Sequence, residues 1–293
     1  MPTFCRHNRF IQNCPICREP EPPRRRAGTS SSTARPRGTA RSSSSRRSTG
    51  TAGMRVRRVA RAADDGYHSA LVPGLHATAD AEQLAEELAF ATGRLTELRT
   101  APQGAFAEAA TAADRDEGIR LAAEAVLRGE RSPYADEAAA ERGLESLRAW
   151  LERHGGPSAA LDGDPSWTPQ RRFERLFERL GTVGGMGRAR YDLLVVAGAL
   201  GLADVEAPAL LAGDRDDATI AAKRVFGIGD RLLLDRRAAE LAEAAEVPIA
   251  ALDLALANVD RPPGTPRITA GASPDAADAD AWARAAAALG LDR

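Results

Sequence analysis

Between Ala63 and Asp260 no run of β-branched residues alternates with polar ones, and Ala, Leu, Glu and Arg dominate. Residues of this kind lose little side-chain freedom in a helix, and a strand needs a two-residue apolar repeat that this segment lacks. Apolar positions instead recur at three and four, as in Leu84, Leu88, Ala91, Leu95 and Leu98. The pattern predicts an all-α body. Further helices are expected at Asp116–Leu127, Asp136–His154, Pro169–Leu180, Ala189–Leu200, Asp216–Val225, Arg231–Ala245 and Pro248–Asn258, punctuated by Gly, Pro and Asp. After Pro262-Pro263 a looser stretch follows, and Ser273-Pro274-Asp275 reads as the start of a last helix ending near Gly290. Trp282, Leu289 and Leu291 are expected to dock it, and Trp150 and Trp167 read as core. No 34- or 40-residue period marks a solenoid.

The chain before this body is different. Residues 1–62 hold 15 Arg against Glu19 and Glu21, which leaves the rest of the chain acidic although the formal net charge is -1. From Arg18 to Ala62 the composition is Arg, Ser, Thr, Pro and Gly, too poor in apolar residues to offset the entropy of ordering. We expect a disordered basic linker over 19–62 that is drawn to nucleic acid, since clustered Arg binds polyphosphate by releasing counterions. The 3 cysteines all fall in the first 17 residues, beside a histidine. Cys5, His7, Cys14 and Cys17 have the spacing of a four-ligand zinc knuckle over residues 1–18, so a structural Zn2+ ion is expected there. No run approaches the ~20 apolar residues of a bilayer helix, and arginines occupy the first thirty positions where a secretory apolar segment would lie. A soluble, cytoplasmic protein without a membrane partner is expected. The helical domain should span 63–262, and 263–293 should hold a linker and the C-terminal helix.

The sharpest local feature is Lys223-Arg224-Val225-Phe226-Gly227-Ile228-Gly229-Asp230-Arg231, a helix that enters a Gly-apolar-Gly turn and leaves as another helix. Two glycines let such a turn bring backbone N–H groups close to an anion at the start of the outgoing helix. Asp253 lies 24 residues beyond Gly229. If Pro248 opens a helix, Ile249, Leu252, Asp253 and Leu256 share a face, and an acid on an apolar face must be partnered or used. A salt-bridged helix acid is the alternative role for Asp253.

Together these residues resemble the helix-hairpin-helix DNA glycosylase superfamily, in which a hairpin, an outgoing helix, a short apolar segment and a catalytic Asp occur in this order. Gly227, Ile228 and Gly229, with Arg231, match the DNA-binding hairpin, and Asp253 matches the acid. Arg171–Asp260, with Gly184-Gly185-Met186-Gly187-Arg188-Ala189-Arg190-Tyr191-Asp192 ahead of an apolar helix, is more particularly similar to the alpha-glutamyl/putrescinyl thymine pyrophosphorylase branch, which includes glycosylase-like proteins directed at hypermodified phage bases. The resemblance implies a two-lobed helical glycosylase-like domain that flips a nucleotide into a pocket. It also implies that Asp253 stabilises the cationic sugar or orients water, and that Tyr191 and Asp192 contact the base. For the last two, core packing and helix capping are equal readings. Two departures stand out: Asp230 sets a negative charge beside the presumed phosphate, and no lysine lies between Gly229 and Asp253, so a lyase step is not expected.

Three functions follow as expectations. The first is a monofunctional DNA glycosylase that excises a bulky modified pyrimidine from phage DNA in defence. The second is a pyrophosphorylase that joins an amine or amino acid to an activated hydroxymethyl-pyrimidine in DNA. The third is a DNA-binding module without catalysis.

Overall fold

Aspartates start five of the eleven helices among the described residues. Asp114, Asp136, Asp216, Asp230 and Asp278 each sit in an extended conformation just before a helix and accept a hydrogen bond from the backbone N–H three residues on, which satisfies one of the donors a helix start leaves open. Thr168 does the same ahead of Pro169. In the computed structural model, residues 62–210, 216–262, 264–271, 273 and 275–291 are described; all belong to the unit 56–293. They form an all-α domain of α1 (Thr78–Thr100), α2 (Gly104–Ala110), α3 (Arg115–Leu127), α4 (Glu137–Arg153), α5 (Pro157–Leu161), α6 (Pro169–Leu180), α7 (Ala189–Ala199), α8 (Asp217–Val225), α9 (Arg231–Ala244), α10 (Ile249–Val259) and α11 (Ala279–Leu289).

The longest helix, α1, packs on α10, α11 and α7, while α10 also takes α8 and α9 against its sides. Helix α7 also packs on α3, which gathers α2, α4 and α5, and α6 lies on α7. Helix α10 is therefore enclosed well beyond the one face that Ile249, Leu252, Asp253 and Leu256 share. Every residue from Ala251 to Val259 is buried, because its alanines let three neighbouring helices, α1, α8 and α9, approach closely while its leucines fill the gaps between them.

The C-terminal helix begins later than Ser273-Pro274 suggests. Asp278 caps α11, and the preceding segment is spent crossing α1. Glu87 holds Arg267 through Oε1 at 3.0 and 2.9 Å, and Asn258 exchanges two hydrogen bonds with the backbone of Ile268. Glu130 Oε2 accepts from the N–H groups of Thr269 and Ala270, both at 2.8 Å, and the Asp278 N–H donates to the Ala89 carbonyl. Trp282 stays 41% exposed rather than docking, whereas Leu289 is buried. Trp150 is core as expected, and Trp167 is half-buried under the Arg171 guanidinium.

This crossing depends on Gly93 in the middle of α1. A Cβ there would overlap the backbone carbonyl of Ala276, which cannot swing away as a side-chain end would. In a free helix Gly→Ala gains up to about 1 kcal/mol, but overpacking against backbone costs about 1–3 kcal/mol. Gly93→Ala is therefore expected to lower the melting temperature in thermal denaturation. A rise would contradict the close approach.

Among the described residues no helix is long and apolar enough to cross a membrane.

Candidate functional site

The loop before α7 contains Gly185 and Gly187, both with positive φ, and these turns bring Arg188 to the first turn of the helix. The side chain then turns inward, where it is 13% exposed. It pairs with Asp253 on α10, with Asp216 at 2.7 Å and with Asp192 one turn along α7 at 3.5 Å. Arg131, in the loop after α3, joins from the other side. It reaches Asp192 at 3.3 Å and Asp253 at 3.2 Å. Three carboxylates and two guanidiniums thus form one cluster linking α7, the start of α8, α10 and the loop after α3. Asp216 both caps α8 and takes part in it.

Asp253 is the innermost member, its side chain 1% exposed. Both arginines donate to its Oδ2. Its Oδ1 is buried with no hydrogen-bond partner among the described residues, as is Oδ2 of Asp192. Oδ1 belongs to a group that faces a small void of about 10 Å³ shared with Asp235, whose carboxyl is pushed up by burial and partly restored by Arg231. Burial, then repulsion from Arg131, lowers the pKa of the Arg188 guanidinium, against the attraction of Asp192 and Asp216.

Beside this cluster lies a cavity of about 820 Å³. One wall is apolar, from Phe106, Leu121, Ala125, Val126 and Val196; Thr269, Ala270 and Gly271 of the crossing segment form another. Arg131 and Asp192 line it too, so the charge cluster opens into the cavity through them. Its volume is near the top of the ~300–1,000 Å³ range of small-molecule sites. Asp253 does not line it. From the cavity, its carboxylate is reached past Arg131.

The α8–α9 hairpin has the form the sequence suggests. Gly227 has φ of 63°, Gly227, Gly229 and Arg231 are exposed, and Ile228 is half-buried. The N–H groups of Ile228, Gly229 and Asp230 donate to no acceptor among the described residues. Asp230 caps α9 by accepting from the Leu233 N–H, so its charge is engaged with the helix start. The Gly74 N–H donates to the Val225 carbonyl, and Arg224 ties the end of α8 to Asp80 and Asp260.

Of the two residues expected at the base, Asp192 lines the cavity and Tyr191 does not. Tyr191 is buried, its hydroxyl donates to the Ala209 carbonyl at 3.1 Å, and its ring sits edge-on to Phe173 and Phe177. Its environment is core, the alternative the sequence left open. Arg131, Arg188 and Asp216 are cluster members that the sequence reading did not assign. Arg188 had a signal in the Gly/Arg loop, but the direction of its side chain had none.

The expectation of a structural zinc ion is corrected. Among the described residues no group of three or more His, Cys, Asp and Glu is placed to hold a metal. Cys5, His7, Cys14 and Cys17 lie outside the described residues, and zinc has no further part in this account. No protein family, curated protein or solved structure matches the chain.

Proposed function

We propose that this protein is a monofunctional DNA glycosylase that releases a bulky modified pyrimidine from phage-type DNA, with Asp253 as its acidic centre. One observation carries the reading: a fully buried carboxylate, placed after a Gly-Ile-Gly hairpin whose glycines are exposed, is joined through Arg131 and Asp192 to the wall of a cavity large enough for a substituted base. The grouping of the helices around α1 and α10 and around α3, with α7 touching both groups and the cavity bordered by α1, α2, α3 and α7, supports a two-lobed arrangement that receives a flipped nucleotide. The N–H groups of Ile228, Gly229 and Asp230, which donate to no acceptor among the described residues, suit a DNA phosphate.

In the reaction, the bond between sugar C1′ and the base nitrogen breaks with its electron pair leaving on the base. Water adds to C1′, and its proton ends on the departing base. Asp253 opposes the positive charge that develops on the sugar, a role that needs the ionised form. As the nucleotide enters, Arg131 moves from Asp253 onto it while Asp192 keeps hold of the guanidinium, and this uncovers the carboxylate toward the cavity. Lys223 is the one lysine of the chain and precedes the hairpin; no Schiff-base step is included, and the product is an intact abasic site. The test is release of free base from hypermodified phage DNA, with sites that break only in alkali.

A second reading, a DNA-binding module without catalysis, is favoured by the closed state of Asp253, whose charge is already answered by two arginines. Under either reading the basic arm supplies charge that the acidic body lacks. Deleting residues 1–62 is expected to weaken non-specific DNA binding and flatten its dependence on salt, because fewer counterions are released. An unchanged slope of affinity against salt would show the arm to be a linker only.

A further inference from the structure

Arg94 is the interior charge that the cluster leaves out. It projects from the middle of α1, is 5% exposed, and lines the 820 Å³ cavity. Among the described residues no carboxylate comes within ion-pair distance of it. Its Nε and Nη2 both donate to the Ala270 carbonyl, at 3.1 and 3.0 Å, and Nη1 has no partner among the described residues. Burying a guanidinium against a single carbonyl is costly, and burial lowers its pKa to about 10.

The surroundings hold that guanidinium in place. Ala270 has a φ of 47°, unusual for a residue with a side chain, and Glu130 pins it there by accepting from the N–H groups of Thr269 and Ala270. With the Nε/Nη2 edge fixed on Ala270, the Nη1/Nη2 end is left as a two-donor fork, the geometry that suits a carboxylate or phosphate. The acids around the cavity are committed or remote. Glu124 pairs with Arg128, Asp192 with Arg131 and Arg188, and Glu130 with the crossing segment, while Glu108 is exposed at the mouth.

We propose that the cavity is an oxyanion site in which Arg94 selects a ligand bearing a carboxylate or phosphate group on a flat body that packs against Phe106, Leu121 and Val126. The choice of that body, a pyrimidine with an anionic substituent, rests on the base-release reading; the oxyanion contact does not. The substrate class is then a pyrimidine modified with an acidic group, and Arg94 is a specificity residue that takes no part in bond breaking.

The test is calorimetric binding of free ligands to the full chain without DNA, using 5-carboxyuracil, thymine and inorganic pyrophosphate. The wild type is expected to bind 5-carboxyuracil about tenfold or more tighter than thymine. Arg94→Gln, which keeps a donor for the Ala270 carbonyl, is expected to lose that preference and retain thymine binding. Ala125→Trp, which fills the cavity from its apolar wall and leaves Arg94 in place, is expected to lose both ligands, so the result does not hang on one variant folding. Equal binding of the two pyrimidines, or a preference that survives Arg94→Gln, overturns the proposal for pyrimidines. Pyrophosphate binding that depends on Arg94, with neither pyrimidine bound, upholds the oxyanion site and removes the base-pocket reading. No Arg94-dependent binding of any anion overturns the oxyanion site, whatever the protein does to DNA.

Discussion

Asp253→Asn is expected to lower the stability of the fold by about 3 kcal/mol, at the lower end of what breaking a buried ion pair costs. The amide keeps the shape and one acceptor oxygen, but Arg131 and Arg188 lose the charge that both of them face. Asp192 and Asp216 remain as partners, which keeps the loss from being larger. For a domain of this size about 1 kcal/mol moves the melting temperature by roughly 2–4 °C, so thermal denaturation should show a drop of about 6–12 °C. The cost comes from the two buried guanidiniums and not from the helical face, whose shape the amide keeps. An unchanged melting temperature would mean that the cluster is already solvated and the burial of Asp253 misjudged.

The second large effect is on rate. At a temperature where the variant is still folded by circular dichroism, Asp253→Asn is expected to release modified base at least a hundredfold more slowly than the wild type. Removing a charge that opposes a developing sugar cation costs on the order of 3 kcal/mol or more in the barrier. The stability loss and the rate loss share one residue but are separable, because folding is measured without DNA and release with the folded fraction known. A folded variant that releases base at the wild-type rate would leave Asp253 with the structural role alone.

Much of this fold was legible in the sequence. The helices at 116–127, 136–154, 169–180, 189–200, 216–225, 231–245 and 248–258 appear within a residue or two of their expected ends, because Asp caps, prolines and glycines mark their limits locally. The two short helices α2 and α5 were missed: at 7 and 5 residues, neither shows an apolar period. The late start of α11 was missed because a Ser-Pro signal is local, while the demand that the chain cross Gly93 and bind Glu87, Glu97 and Glu130 first is not. The site divides in the same way. Asp253 and the Gly-Ile-Gly turn stand out by type and spacing. Arg131 sits in a loop with no period, and Arg94 is one arginine among many on a helix. What distinguishes Arg94 is that no carboxylate among the described residues comes within ion-pair distance of it in three dimensions, which no spacing along the chain encodes.

The most direct test incubates hypermodified phage DNA with the wild type and with Asp253→Asn, and measures free base by mass spectrometry alongside alkali-labile breaks. The wild type is expected to release the modified pyrimidine with one alkali-labile, otherwise intact site per base, and Asp253→Asn to release at least about a hundredfold less. No free base from the wild type, or equal release from both proteins, would contradict this.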